Sequence, residues 1–168
     1  MPGQVLIWII IVVLVLALWL ISRAQRVDRL HRQAAQALEV LNHHLTRRRE
    51  LLAQTLPEFV SSNPEEAREL RELLATPAPG DAQHSAASES ALSRWIRDKY
   101  LPCSNADSEV CAAARTLSFE LHAARRFYNQ QVDQVQRLRS KPDVTVFHLA
   151  GRAPMPETFD FDDEPFNA

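Results

Sequence analysis

An unbroken apolar run, Val5 to Ile21, opens the chain, and two long stretches with helical spacing of apolar positions follow it. At 1.5 Å per residue, the run with Gly3, Gln4 and Ser22 beside it extends about 30 Å as a helix, the thickness of a bilayer's hydrocarbon core. It predicts a membrane anchor over residues 1–22, bounded by Val5 and Ile21, with Trp8 and Trp19 toward the headgroup layers. A cleaved signal peptide fits less well. No Lys or Arg precedes the run, and its exit, LWLISRAQR, has no small-x-small site. Arg23, Arg26, Arg29 and Arg32 follow it, so the flanking charge puts the N-terminus outside and the body in the cytoplasm, on a single pass through the inner membrane. The same four arginines lie where they can touch the anionic inner leaflet.

From Arg23 to Val60 there is no Gly, and Val27, Leu30, Ala34, Leu38, Leu41, Leu45, Leu52, Leu56 and Phe59 recur at helical spacing. This predicts that the membrane helix continues without a break, with Pro57 placed to kink its last turn. Asn63 as cap, Pro64 at the first helical position and Glu65 and Glu66 behind it start a short helix that ends near Ala75. Residues 76–87, TPAPGDAQHSAA, read as a loop. Leu92, Trp95, Ile96 and Tyr100 line one face of a helix over Ser88 to Tyr100, broken at Leu101-Pro102. Between Asn105 and Lys141, Val110, Ala114, Leu117, Leu121, Ala124, Tyr128, Val135 and Leu138 alternate steps of four and three, missing only at Gln131. That heptad stripe predicts a long helix packed against another long helix, with Pro142 as its stop. Residues 143–168 read as an extended segment and an acidic tail, ETFDFDDEPFNA, either flexible or laid on the bundle by its Phe residues.

The expected architecture is therefore all-α: a single transmembrane helix over 1–22 continuing into an elongated antiparallel bundle over 23–142, then the segment over 143–168. Composition narrows the chemistry. The 168 residues suit one domain, and 19 Lys plus Arg against 21 Asp plus Glu give no general attraction to nucleic acid. Glycines only at 3, 80 and 151 leave no phosphate-cradling loop, so Walker and dinucleotide motifs are excluded. Cys103 and Cys111 make no C-x-x-C pair, and in a cytoplasmic body they would stay reduced.

Several segments in order resemble the LemA family of bacterial membrane-anchored helical proteins. Leu45-Thr46-Arg47-Arg48-Arg49-Glu50-Leu51-Leu52 is similar to the family's Leu-Lys-Arg-Arg-x-Asp-Leu-Ile stretch, Glu89-Ser90-Ala91-Leu92-Ser93 to Glu-Asn-x-Leu-Ser, and Ala124-Arg125-Arg126-Phe127-Tyr128-Asn129 to Ala-Arg-x-x-Tyr-Asn. Ala53-Gln54 replaces the family's Pro-Asn, and the middle is shortened, as in a divergent member. The resemblance implies an antiparallel helical bundle on one anchor, with roles in envelope or magnetic-organelle biogenesis for some members. It supplies no catalytic residues.

Six histidines show no H-E-x-x-H spacing, so neither a metal nor another cofactor is expected. No nucleophile has a recognisable setting; an envelope hydrolase using Cys103 or Cys111 is the enzymatic alternative. One charge demands an answer. Arg48 interrupts the apolar stripe seven residues after Leu41. Either the stripe drifts and Arg48 sits at its edge with its head in water, or it pairs with a carboxylate of the last helix such as Glu120 and fixes the helix register. Arg125, Arg126, Phe127 and Tyr128 form a candidate partner patch, with Tyr128 on the seam. The reading that follows is a membrane-anchored interaction or scaffold protein whose partners are the bilayer and another protein. Self-association through the anchor is a further reading, although Val5 to Ile21 lacks a Gly-x-x-x-Gly signal.

Overall fold

The computed structural model describes residues 2–75, 82–100, 109–151 and 153–163. Helix α1 spans Pro2–Ser62, α2 Pro64–Ala75 and α3 Ala82–Trp95, which ends in a π-helical turn, Ile96–Tyr100. The second long helix, α4, spans Glu109–Arg139, and a five-residue helix, α5, spans Pro142–Val146. No strand occurs among the described residues. The apolar run and the stretch after it form one uninterrupted helix, with Pro57 inside it. Helix α2 has the predicted limits, and the Ala67 N–H closes its first turn on the Asn63 carbonyl at 3.0 Å.

Two expected boundaries are corrected. Residues 82–87, assigned to the loop 76–87, are the first turns of α3. The breakers Pro77, Pro79 and Gly80 all precede Asp81, and no Pro or Gly interrupts the chain again before Pro102. Residues 76–81, like the expected break at Leu101-Pro102, lie outside the described residues. The segment from 143 does not start out extended. Pro142 ends α4 but occupies the first position of α5, with Lys141 extended ahead of it (φ −70°, ψ 138°).

The chain divides into two compact units, Met1–Gln36 with Gln130–Glu157, and Ala37–Asn129 with Thr158–Ala168. In the first, Val27, Leu138 and Val144 form a small core with Leu30, Leu149 and Ala150 against it. Arg23 Nε reaches Asp143 Oδ2 at 3.1 Å, and its guanidinium lies 5.4 Å from the centre of the Trp19 ring. Arg139 Nη1 donates to the Ala153 and Pro154 carbonyls at 2.7 and 3.1 Å, and Gln136 Nε2 to the Pro156 carbonyl at 3.0 Å. These bonds satisfy the backbone of an irregular segment that has no ladder of its own. Burial, with the Arg139 charge adding to it, holds His31 below its ordinary pKa; Asp28 opposes both.

In the second unit, Leu52 of α1, Ala67 and Leu70 of α2, Leu92 and Trp95 of α3, Ile96 and Tyr100 of the π turn, and Cys111 and Ala114 of α4 close one apolar core. The π turn brings Trp95 and Tyr100 to one side, their rings stacked with centroids 6.3 Å apart. Both long helices bury the stripes expected of them, with one-residue rotations. Val132, not Gln131, fills the gap in the α4 seam, and Ala37 is buried where Leu38 is 37% exposed. A helix of 3.6 residues per turn rotates against a strict heptad, so a seam called by sevens slips by one position along its length.

Helix α5 closes in a Schellman motif. The Leu149 N–H reaches the Val144 carbonyl at 3.1 Å and the His148 N–H the Thr145 carbonyl at 3.3 Å, while His148 takes φ 50°. Leu149 packs against Val144, the apolar contact that accompanies this cap. A left-handed histidine costs roughly 1–2 kcal/mol that a glycine does not incur. Replacement His148→Gly should therefore slow hydrogen exchange at the Leu149 amide about fivefold, the equivalent of about 1 kcal/mol, whereas His148→Val should accelerate it.

Candidate functional site

The position that breaks the α1 stripe is its centre. Arg48 is 4% exposed, between buried Leu45 and Leu52. It neither snorkels to water nor meets Glu120. Its partner is Glu89 of α3, itself 1% exposed: Arg48 Nη2 donates to Glu89 Oε2, and Nη1 to Ser93 Oγ at 2.8 Å. Arg49 holds the other carboxylate oxygen, Nε to Oε1 at 2.8 Å and Nη2 to Oε1 at 2.7 Å. Glu89 and Ser93 lie four residues apart, on one face of α3, so both turn to the same guanidinium.

Glu120 fails as the partner for a geometric reason. It occupies a partly exposed position of α4, one residue before buried Leu121. There its contacts among the described residues are long, His44 Nδ1 at 3.6 Å and Arg47 Nη1 at 3.9 Å. His44 and His122 are both half-buried beside the apolar stripes.

Burial pushes the Arg48 guanidinium below its ordinary pKa, and the charge and hydrogen bond of Glu89 oppose that push. The cost of holding an ion pair away from water is offset only where geometry is good and remaining donors are met. The C-terminal segment Thr158–Asp163 adds the next layer. The Phe161 ring centre lies 5.7 Å from the guanidinium carbons of both Arg48 and Arg125. Arg125 grips Asp163 through two bonds, Nε to Oδ2 at 2.7 Å and Nη2 to Oδ1 at 2.8 Å, and reaches Asp160 with Nη1 at 2.8 Å. His122 Nδ1 stands 3.3 Å from the same Asp163. Arg48, Arg49 and Arg125 thus face Glu89, Asp160 and Asp163, three cations against three carboxylates.

The segment's backbone is also held. Asn129 pairs with Phe159 as another peptide would, accepting its N–H on Oδ1 at 2.9 Å and donating Nδ2 to its carbonyl at 3.2 Å. The Asp162 N–H donates to Ser90 Oγ at 3.0 Å, and Arg97 Nη2 reaches the Asp162 carboxylate at 2.8 Å. Of the two readings of the acidic tail, residues 158–163 follow the second. Phe159, Phe161 and Asp163 are buried, and the two rings meet edge-on at 5.3 Å. Residues 164–168, with Phe166, lie outside the described residues.

The partner patch on α4 is corrected. Arg125 and Tyr128 face inward, Arg125 spent on the tail and Tyr128 5% exposed in the seam. Only Arg126 and Phe127 remain at the surface, Phe127 54% exposed, with Phe119 66% exposed on the same helix. Along α1, Val5, Trp8, Trp19 and Ile21 are all exposed, as are Arg26, Arg29 and Arg32. Among the described residues, Arg23 alone of the four flanking arginines is in an ion pair, with Asp143. Cys111 is buried in the apolar core; Cys103, and with it the 103–111 pairing, lies outside the described residues. Among the described residues no three His, Cys, Asp or Glu side chains converge as metal ligands.

The arrangement holds rather than presents. Both Glu89 oxygens are engaged by guanidinium donors, Oε2 by Arg48 and Oε1 by Arg49. Sequence reasoning missed Glu89, Ser93, Asn129, Phe161 and Asp163 as a set. The available signal was a buried-stripe arginine together with a carboxylate and serine spaced four apart on the next amphipathic helix.

Removing one member of such a buried pair leaves the other uncompensated. Arg48→Met and Glu89→Gln should each lower stability by about 3–5 kcal/mol in denaturant-unfolding experiments followed by circular dichroism. Combined, they should be non-additive by ~1–3 kcal/mol. Glu120→Gln should cost less than about 0.5 kcal/mol and add independently to Arg48→Met.

No protein-family model, curated protein or solved structure matches this chain.

Proposed function

We propose that this chain is a membrane-anchored interaction protein of the LemA type: its apolar N-terminal helix crosses the inner membrane, and its helical body serves as a scaffold on the cytoplasmic side. The observation that carries the reading is the start of α1. Its most apolar 18-residue window has a mean hydropathy of 3.2, and none of it is buried against the rest of the protein. Exposed to water, each such side chain would forgo about 1.5–3 kcal/mol of burial; a bilayer provides that burial. The uneven flanking arginines support the cytoplasmic placement.

Contacts within each unit support antiparallel pairing of the two long helices. In the first, Arg23 meets Asp143 and Val27 shares a core with Leu138. In the second, His44 and Arg47 lie near Glu120, and Leu52 shares a core with Ala114 and Cys111. Support for the LemA type comes from where the resembling segments meet. Arg48 and Arg49 from the first meet Glu89 and Ser93 from the second, and Arg125 and Asn129 from the third hold the tail whose Phe161 ring lies against both Arg48 and Arg125. Motif residues spent on holding a shape suit a scaffold, and exposed Phe119, Arg126 and Phe127 on α4 are its candidate partner contacts.

Carbonate extraction of membranes from cells expressing the full chain should leave the protein in the pellet, and deletion of residues 2–22 should release it. A photoreactive side chain at Phe127 should give a discrete adduct that the same group at Gln134 does not. Extraction by carbonate would contradict the anchor, and absence of any adduct at position 127 would contradict the scaffold role.

A further inference from the structure

The small helix α5 has a use that its packing does not explain. Its inner face is committed: Asp143 pairs with Arg23, and Val144 is buried with Val27 and Leu138. Its other side carries Val146 and Phe147, 68% and 49% exposed, beside exposed Lys141, Thr145 and His148. Two adjacent apolar side chains at the tip of a chain reversal are unusual where nothing among the described residues covers them. What lies beside them is fixed by Arg23.

Arg23 stands two residues beyond Ile21, about 3 Å further along the helix axis from the end of the apolar run. Its guanidinium also lies 5.4 Å from the Trp19 ring, a residue of that run. Asp143, bonded to Arg23 at 3.1 Å, is therefore at the boundary where hydrocarbon gives way to headgroups. Val146 follows Asp143 by three residues in the same helix, a rise of about 4.5 Å, and the headgroup layer is itself roughly 5–8 Å deep. Whichever way the tip points, Val146 and Phe147 therefore stay within about 6 Å of that boundary. The surroundings suit it: Asp143 is neutralised by Arg23, and Lys141 leaves a basic, apolar tip of the kind that lies in a lipid interface.

We propose that the Val146–Phe147 turn is a second membrane contact, inserted among the lipid headgroups beside the anchor. It rests on the anchor reading above, and it makes the first unit a two-point attachment: α1 passes through the bilayer, and α5 is seated on its surface. The occupant is the lipid surface itself, since the patch is contiguous with the membrane-spanning segment through the Arg23–Asp143 pair.

The test is spin-label accessibility in the full chain reconstituted in lipid nanodiscs, in a Cys103→Ser, Cys111→Ala background. Labels are placed at Phe147→Cys and, independently, at Val146→Cys. Leu14→Cys marks the bilayer interior, and Gln33→Cys, about 15 Å beyond Arg23, marks water. Labels at 146 and 147 should be reached by nickel-EDDA several-fold less than the label at 33, and by oxygen more. Nickel accessibility equal to that at 33 would overturn the proposal, and low accessibility to both reagents would overturn it by showing a protein cover. A label at 14 inside the bilayer with 146 and 147 in water fails this inference alone; a label at 14 in water fails the anchor reading with it.

Discussion

A guanidinium with no route to water constrains the second unit more than any other feature. Arg48 sits in the middle of the α1 stripe, where a leucine would keep the apolar pattern, and its charge must be answered by neighbours. Glu89 answers it, but a carboxylate has more acceptor sites than one guanidinium fills, and Arg49 takes the second oxygen. The resulting excess of positive charge is balanced one layer out by Asp163 and Asp160, brought in by the C-terminal segment and fastened by Arg125. Arg48, Glu89 and Asp163 can be buried because each has the next charge beside it. Such networks contribute more to defining one arrangement than to raw stability, since an apolar core of the same volume would avoid the desolvation cost.

That chain of dependencies explains why residues 158–163 lie ordered without secondary structure. Phe159 and Phe161 supply buried apolar area, but it is the side-chain amide of Asn129 and the hydroxyl of Ser90 that meet the backbone. An acidic, Phe-bearing tail is compositionally close to a disordered one. Here three arginines, Arg48, Arg97 and Arg125, convert its acidity and its rings into attachment.

Much of the fold was legible from spacing. The unbroken α1, the limits of α2, the buried face of Leu92, Trp95, Ile96 and Tyr100, and most of the α4 seam follow from apolar positions at helical intervals and from the cap residues at Asn63 and Pro64. The misses share one cause, because local pattern does not report what a residue meets across the fold. Arg48 stands out as an anomaly, but spacing alone decides neither between water and a carboxylate nor among carboxylates, and its partner is Glu89 of the shorter helix. Tyr128 is buried on the seam where its spacing puts it, whereas Arg125 looks like a surface residue because no local signal says that a distant tail will cover it. Pro142 is a separate, local case: proline both stops one helix and suits the first position of the next.

The central claim is that the charge cluster around Arg48 and the segment 158–163 form one structure. Amide hydrogen exchange at Phe159 and Asp162 in the full chain reads it directly, since their N–H groups are held by the Asn129 and Ser90 side chains. Both amides should be protected in the native chain and lose protection in Glu89→Gln while Leu121 in α4 keeps its own. Exchange of Phe159 and Asp162 at open-chain rates in the unaltered protein would contradict the account.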